Sequence, residues 1–268
     1  METTNCHKSS LMNSGRYEVP FKRPAKLLGS QNDKTSKGEK LGYTTYILYL
    51  APSTQNALNI DLCRFASEGC RLGCLYSAGR GKFSNVIAGR MNKTHYLLQD
   101  REGFISQLKS EIAKIEAKHK KANDPYFSIR LNGTSDLSWS TVIKAFPDVQ
   151  FYDYTKNLNR ALNNRLPNYH LTFSASESNQ LQVIKAISGG LNVAIVTSFD
   201  IDFSHSMRGI PAVFKQWKGL NLVSADYTDL RFLDPERSLC ILKAKGEAKN
   251  DRSGFVYHSL EQMERDLF

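Results

Sequence analysis

The sequence predicts an α/β protein, a complete or partial TIM-like (β/α) barrel with a cysteine-containing loop after its first strand. Three observations carry that expectation. From residue 126 onward, short β-branched and aromatic runs alternate with amphipathic stretches every 20–30 residues or so; such alternation gives parallel strands joined by helical crossovers. Neither G-x-G-x-x-G nor G-x-x-x-x-G-K-[ST] follows any of these runs, so the two common nucleotide-binding open sheets lack their fingerprint. Polar residues recur just after each apolar run, where a barrel keeps its chemistry.

The elements follow in order. Residues 1–40 mix Lys, Asn, Ser, Thr and Gly with few apolar positions and read as a flexible basic segment. TTYILYLAP, closed by Pro52, reads as a strand buried on both faces. The cysteine segment comes next. Ser84 is the expected N-cap of a helix running through Val86, Ile87 and Met91 to about Leu98. A second helix carries Phe104, Leu108, Ile112 and Ile115 on one face and ends in the lysine-rich turn KHKKANDP. Strand and helix then alternate: YFSIRLNGTSD and WSTVIKAF, VQFYDYTKN and LNRALNN, YHLTFSASES and QLQVIKAIS, followed by NVAIVTSF, LNLVSADYTD and CILKAKG. One domain over residues 41–258, with residues 259–268 as a tail, accommodates all of them.

Charge and cysteine usage narrow the function. The 268 residues carry 36 Lys+Arg against 26 Asp+Glu, a formal charge of +10. Arg64, Arg71, Arg80, Lys82, Arg90 and Lys93 face a single acid, Glu68, over thirty residues, so half of the excess lies beside the cysteines. A basic surface around a reactive site suits a polyanion, because phosphate contacts release counterions. The N-terminus lacks a secretory signal pattern, and no apolar run approaches the ~20 residues of a membrane span. A soluble cytoplasmic protein with reduced thiols is therefore expected, in the host cytoplasm if a phage encodes it.

Of five cysteines, Cys6 and Cys240 stand alone and three are spaced Cys63-x6-Cys70-x3-Cys74. Three thiolates in one loop can converge on one metal centre. With an open fourth position they fit an iron–sulfur cluster whose unique iron takes a cosubstrate; with a histidine they fit tetrahedral zinc. His95 is the nearest histidine and so the possible zinc ligand. His170 and His205 have no companion at metal spacing, and His7, His119 and His258 read as surface residues.

KGEKLGYTTYILYLAP, CRFASEGCRLGCLYSAGRGKFSNV, RLNGTSD, DYTDLRFLDP and LKAKGEAKNDRSGFV together resemble the "gene product 88" type family of tailed phages, over residues 30–258. That resemblance implies a phage protein and carries no activity with it. More distantly, the chain is similar to radical S-adenosylmethionine enzymes, whose partial barrel holds a three-cysteine cluster after strand one with an aromatic beside the last cysteine, as Tyr76 stands beside Cys74 here. Their common spacing, C-x3-C-x2-C, differs from this one. It also resembles the guanine-exchanging transglycosylases, including phage versions that place 7-deazaguanines into DNA, through rim aspartates on an α/β barrel.

The radical S-adenosylmethionine resemblance implies an iron–sulfur cluster with S-adenosylmethionine on Cys63, Cys70 and Cys74, with Asn132, Asp136 and Lys156 contacting cosubstrate or substrate. The transglycosylase resemblance implies a carboxylate nucleophile attacking a sugar C1′, with Asp136, Asp153 and Asp226 as candidates and zinc as the metal. Either acts on nucleic acid, with DNA the expected partner, and must flip the base or take it single-stranded. Thr134, Arg80, Lys82, Lys243 and Lys245 are the remaining candidate substrate contacts, and Phe83, Tyr152, Tyr154, Phe173 and Tyr227 the aromatics available for stacking. A non-enzymatic, metal-stabilised DNA-binding or host-inhibiting protein is the third expectation.

Overall fold

A computed structural model describes residues 20–30, 41–52, 55–201 and 215–268. Cys6, His7 and His205 lie outside the described residues. One ten-stranded, mostly parallel sheet organises the chain. Strands β1 (Leu28–Gly29), β2 (Thr44–Leu48), β3 (Phe127–Arg130), β4 (Gln150–Thr155), β5 (Tyr169–Ser174) and β6 (Val193–Thr197) lie side by side in chain order. The order then reverses: β6 is followed by β9 (Ser238–Lys243), β8 (Leu220–Ser224) and β7 (Lys215–Trp217).

Every pairing from β2 to β8 is parallel, while β1 and β7 run antiparallel at the two edges. The closed barrel is thus corrected to an open sheet. A barrel requires its first and last parallel strands to pair, and here each carries an antiparallel edge strand instead. The reversed order β6-β9-β8 also breaks the sequential winding of a barrel. The run expected to open the sheet forms β2, because Leu28–Gly29 pairs ahead of it.

Helices cover the outer face. Between β2 and β3 come α1 (Glu68–Leu72), α2 (Ser84–Gln99) and α3 (Arg101–Lys121); α4 (Ser140–Ile143), α5 (Leu158–Leu162) and α6 (Gln180–Ser188) are the crossovers, and α7 (Leu260–Leu267) ends the chain. Helix α2 begins one residue earlier than expected: Phe83 is the N-cap and offers no side-chain acceptor, so Ser84 is already helical. Lys118, Lys120 and Lys121 lie in the last turn of α3 rather than in a turn after it, where cations complement the exposed carbonyls. His119, expected at the surface, is buried: its imidazole stacks on Phe127 at 4.3 Å and hydrogen-bonds Tyr46 and Asp124.

The outer core is continuous from Leu27 and Leu28 through Tyr96, Phe104, Leu108 and Ile112 of the helices to Ile129, Phe151 and Leu171 of the strands. A second cluster joins Phe173, Ile195, Leu222 and Ile241 to Val183 of α6 and to Met263 and Leu267 of α7. Both chain segments expected to lie outside the domain therefore supply core residues. Over β3 to β5 the opposite face of the sheet is polar, carrying Ser128, Arg130, Tyr152, Tyr154 and Thr172, all but Tyr154 buried, while over β6 and β9 it is apolar, with Ala194, Cys240 and Leu242.

Beyond Ser174 and Ala194 the pairing of β5 with β6 stops, and β10 (Val256–Tyr257) pairs with Val196–Thr197 of β6 in its place. Parallel strands that part at their C-terminal ends leave a crevice there.

Candidate functional site

A cavity of about 210 Å³ occupies that crevice. Its walls come from the strand ends, with Arg130, Tyr154, Ser174, Val196, Leu242 and Lys243, and from the loop after β8, with Ala225, Asp226, Thr228 and Asp229. Cys70, Gly73, Cys74 and Leu75 cover it from the cysteine segment, and Lys245, Ala248 and Phe255 from the loop after β9.

Why the cysteine segment sits there is visible in its anchors. Leu62 O accepts from Asp136 N at 2.8 Å, and Cys63 Sγ lies 3.8 Å from Thr134 O, tying one end to the β3 loop. Glu177, after β5, accepts Gly69 N at 2.8 Å and Ser67 Oγ at 2.7 Å, tying the other end across 110 residues of sequence. Ser67 in turn caps α1 at Cys70 N. A Cβ on Gly69 would stand 2.1 Å from Ser253 Oγ and 2.6 Å from the Phe255 Cβ, so only glycine lets α1 seat against the loop after β9.

Cys63, Cys70 and Cys74 are half-buried and reduced. Burial pushes the Cys63 thiol up, and Cys74 and Cys70 push it further. Burial likewise raises Cys74, against hydrogen bonding from the Tyr76 amide, while Cys70 raises it and the Arg90 guanidinium opposes. The three thiols thus lie within electrostatic reach of one another, flanked by two cations: Arg90 beside Cys74, and Arg71 beside Cys63 and Cys70. Among the described residues no group of three or more His, Cys, Asp or Glu side chains stands at metal-binding geometry. His95 is buried on α2 with Nε2 unpartnered, and burial alone lowers its pKa, with no contribution from the thiols.

The expected site residues separate into two groups. Asp226, Lys243, Lys245 and Thr134 line the cavity; Asp226 accepts Lys243 N at 2.6 Å and pairs with Lys245 Nζ. Asp136, Asp153, Lys156 and Asn132 do not line it. Asp136 pairs with Arg160 and accepts Lys156 N at 3.0 Å, clamping the turns after β3 and β4. Asp153 is 1 % exposed and accepts Asn132 N at 2.7 Å and Tyr169 OH at 3.0 Å, and burial pushes its carboxyl up to about 7. Lys156 donates to Ser174 Oγ and the Ala175 carbonyl, its ammonium over the Phe255 ring. Asn132 bridges Asp153, Leu137 and Trp139. Short polar side chains at strand ends served the turns, which is their commonest use.

One charged cavity group, Arg130, went unnoticed in the sequence. Arg130, 3 % exposed, donates to Asp229 Oδ2 at 2.7 Å and stacks 4.7 Å from the Tyr154 ring, whose hydroxyl also reaches Asp229. The signal available was an arginine as the last residue of a strand otherwise reading FSI. Arg80 and Lys82 are exposed on the 3-10 turn Gly79–Lys82 and do not line the cavity. Of the basic run, Arg71 pairs with Asp61, Arg90 donates to Gly81 O and Gln55, and Lys93 donates to Leu27 O, so three of its six cations have internal partners. Tyr152 and Phe173 are core residues, whereas Phe83 and Tyr227 are exposed.

Fold and site together define an open-sheet α/β protein with a thiol-lined cavity at the ends of its parallel strands. Residues 25–259 match the family model Gene product 88, and the chain belongs to that family of phage proteins. No curated protein and no solved structure matches it, so the radical S-adenosylmethionine and transglycosylase resemblances gain no support from known proteins. No helix among the described residues is long and apolar enough to cross a membrane.

Proposed function

We propose that the protein is a metal-dependent enzyme that modifies a nucleic-acid base, most simply in DNA, with Cys63, Cys70 and Cys74 holding an iron–sulfur cluster beside the cavity. The observation that carries this reading is that one loop sets Cys70 and Cys74 in the wall of a cavity at the strand ends, with Cys63 within electrostatic reach of both; the three are not drawn up at metal-binding geometry, and a cluster would have to gather them. Three ligands rather than four suit a cluster that keeps one iron open to a cosubstrate, for which S-adenosylmethionine is the proposed group. When bound, that pair supplies radical chemistry. Arg71 and Arg90 fit a centre of three thiolates because each places a positive charge beside sulfur. Zinc on the same thiols is the alternative and would leave the cavity to acid–base chemistry.

Within the cavity, Arg130 held by Asp229 presents a fixed, desolvated cation beside the Tyr154 ring, a geometry suited to an anionic or planar group. Lys243 and Lys245 line the cavity, the Lys243 ammonium paired with Asp200 and that of Lys245 with Asp226, two cations suited to phosphate. A second reading keeps one observation in its favour: Asp226 is the one transglycosylase candidate in the cavity wall. Under it, Asp226 is the nucleophile toward C1′. Cytoplasmic action on phage or host DNA follows from either reading.

Nucleoside mass spectrometry separates them. DNA incubated with the reduced, anaerobically purified protein and S-adenosylmethionine is expected to yield a modified nucleoside, lost in Cys70→Ala and Cys74→Ala. Release of free guanine that is abolished by Asp226→Asn would instead establish the transglycosylase reading, and unmodified DNA in both assays would remove enzymatic action on DNA.

A further inference from the structure

Nine large hydrophobic side chains are exposed among the described residues, and four of them, Phe65, Leu72, Leu75 and Phe83, fall within nineteen residues of the cysteine segment. Phe65 is 53 % and Phe83 57 % exposed. Exposed apolar groups scattered singly need no explanation, but four in one short segment that also carries exposed cations call for one. The segment has no need of these groups for its own fold, since Glu177, Asp61 and the β3 loop already hold it.

Two further features define what would cover this surface. Exposed cations alternate with the rings: Arg64 precedes Phe65, and Arg80 and Lys82 precede Phe83, with none of the three ion-paired among the described residues. The fold also brings the second basic segment of the chain alongside. The 3-10 turn Gly246–Asn250 packs on α1 and on the turn Leu75–Ser77, which adds exposed Lys249 and Arg252 to the same rim. Cations with interleaved aromatic faces match a strand whose phosphates and unpaired bases are both accessible, and a duplex offers no free base face. A cavity of about 210 Å³ beside them admits one small ring system and not a paired helix.

We propose that the cysteine segment is a stacking platform for single-stranded DNA, with Phe65 and Phe83 each against a base of the strand, Arg64, Arg80 and Lys82 on the phosphates, and one base delivered into the adjoining cavity. This deepens the nucleic-acid reading and rests on it. It names the strandedness of the substrate, which base-modifying chemistry alone leaves open because a base can also be flipped from a duplex.

Fluorescence anisotropy tests it, with the full chain titrated against a labelled thymidine oligomer of about 16 nucleotides and a duplex of the same length. The oligomer is expected to bind at least tenfold more tightly. Phe65→Ala and Phe83→Ala are each expected to weaken it roughly tenfold, with an unchanged salt slope, because stacking releases no counterions. Arg80→Gln and Lys82→Gln should instead flatten the salt slope. Equal or tighter binding of the duplex would overturn the proposal while leaving the nucleic-acid reading intact; failure of both to bind would remove both. Oligomer binding untouched by either phenylalanine substitution would overturn it, as would co-sedimentation with phosphatidylserine vesicles that the same substitutions abolish, which would assign the patch to a lipid surface. Circular dichroism of the two variants, expected to match the parent because both rings are exposed, keeps lost binding distinct from lost fold.

Discussion

Asp153 and Asp226 end different strands and look alike in the sequence, yet one is sealed beneath the rim and the other faces the cavity. Asp153 accepts from the Asn132 amide, the Asn132 side chain and Tyr169 OH. Asp153→Asn sets an NH2 against donors in a buried site, so an expected loss of about 1–3 kcal/mol should appear as a lower urea midpoint. Asp226→Asn should leave the unfolding free energy within about 0.5 kcal/mol of the parent. His170 gives a pH signature. Burial, together with the nearby Arg231, lowers its pKa to about 4. An imidazole that resists protonation in the folded state contributes stability in full above the unfolded value near 6.5, and that contribution is lost as pH falls toward 4. Near pH 5 the cost is at most about 2 kcal/mol, so His170→Asn should flatten the decline of stability between roughly pH 6.5 and 4. An unaltered acid limb in the variant would show that His170 does not report this burial.

At the scale of elements, the seating of α1 is the step on which the site depends. Glu177 holds it from the β5 side, and Gly69 lets it approach Ser253 and Phe255. Neither residue touches the outer cores. Glu177→Ala and Gly69→Ala should therefore displace the cysteine segment and lower its bound metal severalfold while leaving the thermal midpoint within a few degrees; metal content equal to the parent would show that the anchors are dispensable. Strands β2 to β6 and helices α2, α3 and α6 were legible in the sequence because each carries a periodic apolar run. Glu177 was read only as one polar strand end among many, since its partners lie 108 and 110 residues away. Helix α2 starts at Phe83 without a side-chain cap, so the serine that invited the boundary misplaced it by one residue.

For the whole molecule, the periodic alternation specified parallel strands and crossovers, but not whether they close. Closure depends on edge pairing and strand order, and these are set by two-residue β1 and three-residue β7, too short to leave a periodic signal. A cavity still lies at the strand ends, because parallel strands expose their C-terminal ends in open and closed sheets alike. Charge was legible in amount and misleading in part: half of the six-cation run folds inward onto Asp61, Gly81 and Leu27, while Lys249 and Arg252, late in the chain, join the outward half. Nucleic-acid affinity should accordingly fall steeply with salt, and a flat response between low and physiological salt would point to a partner other than a polyanion.

The central claim is that Cys63, Cys70 and Cys74 act together as the ligands of one iron–sulfur centre. Iron, zinc and acid-labile sulfide measured on the full chain after anaerobic purification test it most directly, beside the three single Cys→Ala variants. The account predicts a brown protein with iron and sulfide in comparable amounts, both falling sharply in each variant while Cys240→Ala retains them. A colourless protein with one zinc, or iron and sulfide indifferent to the three substitutions, would contradict it.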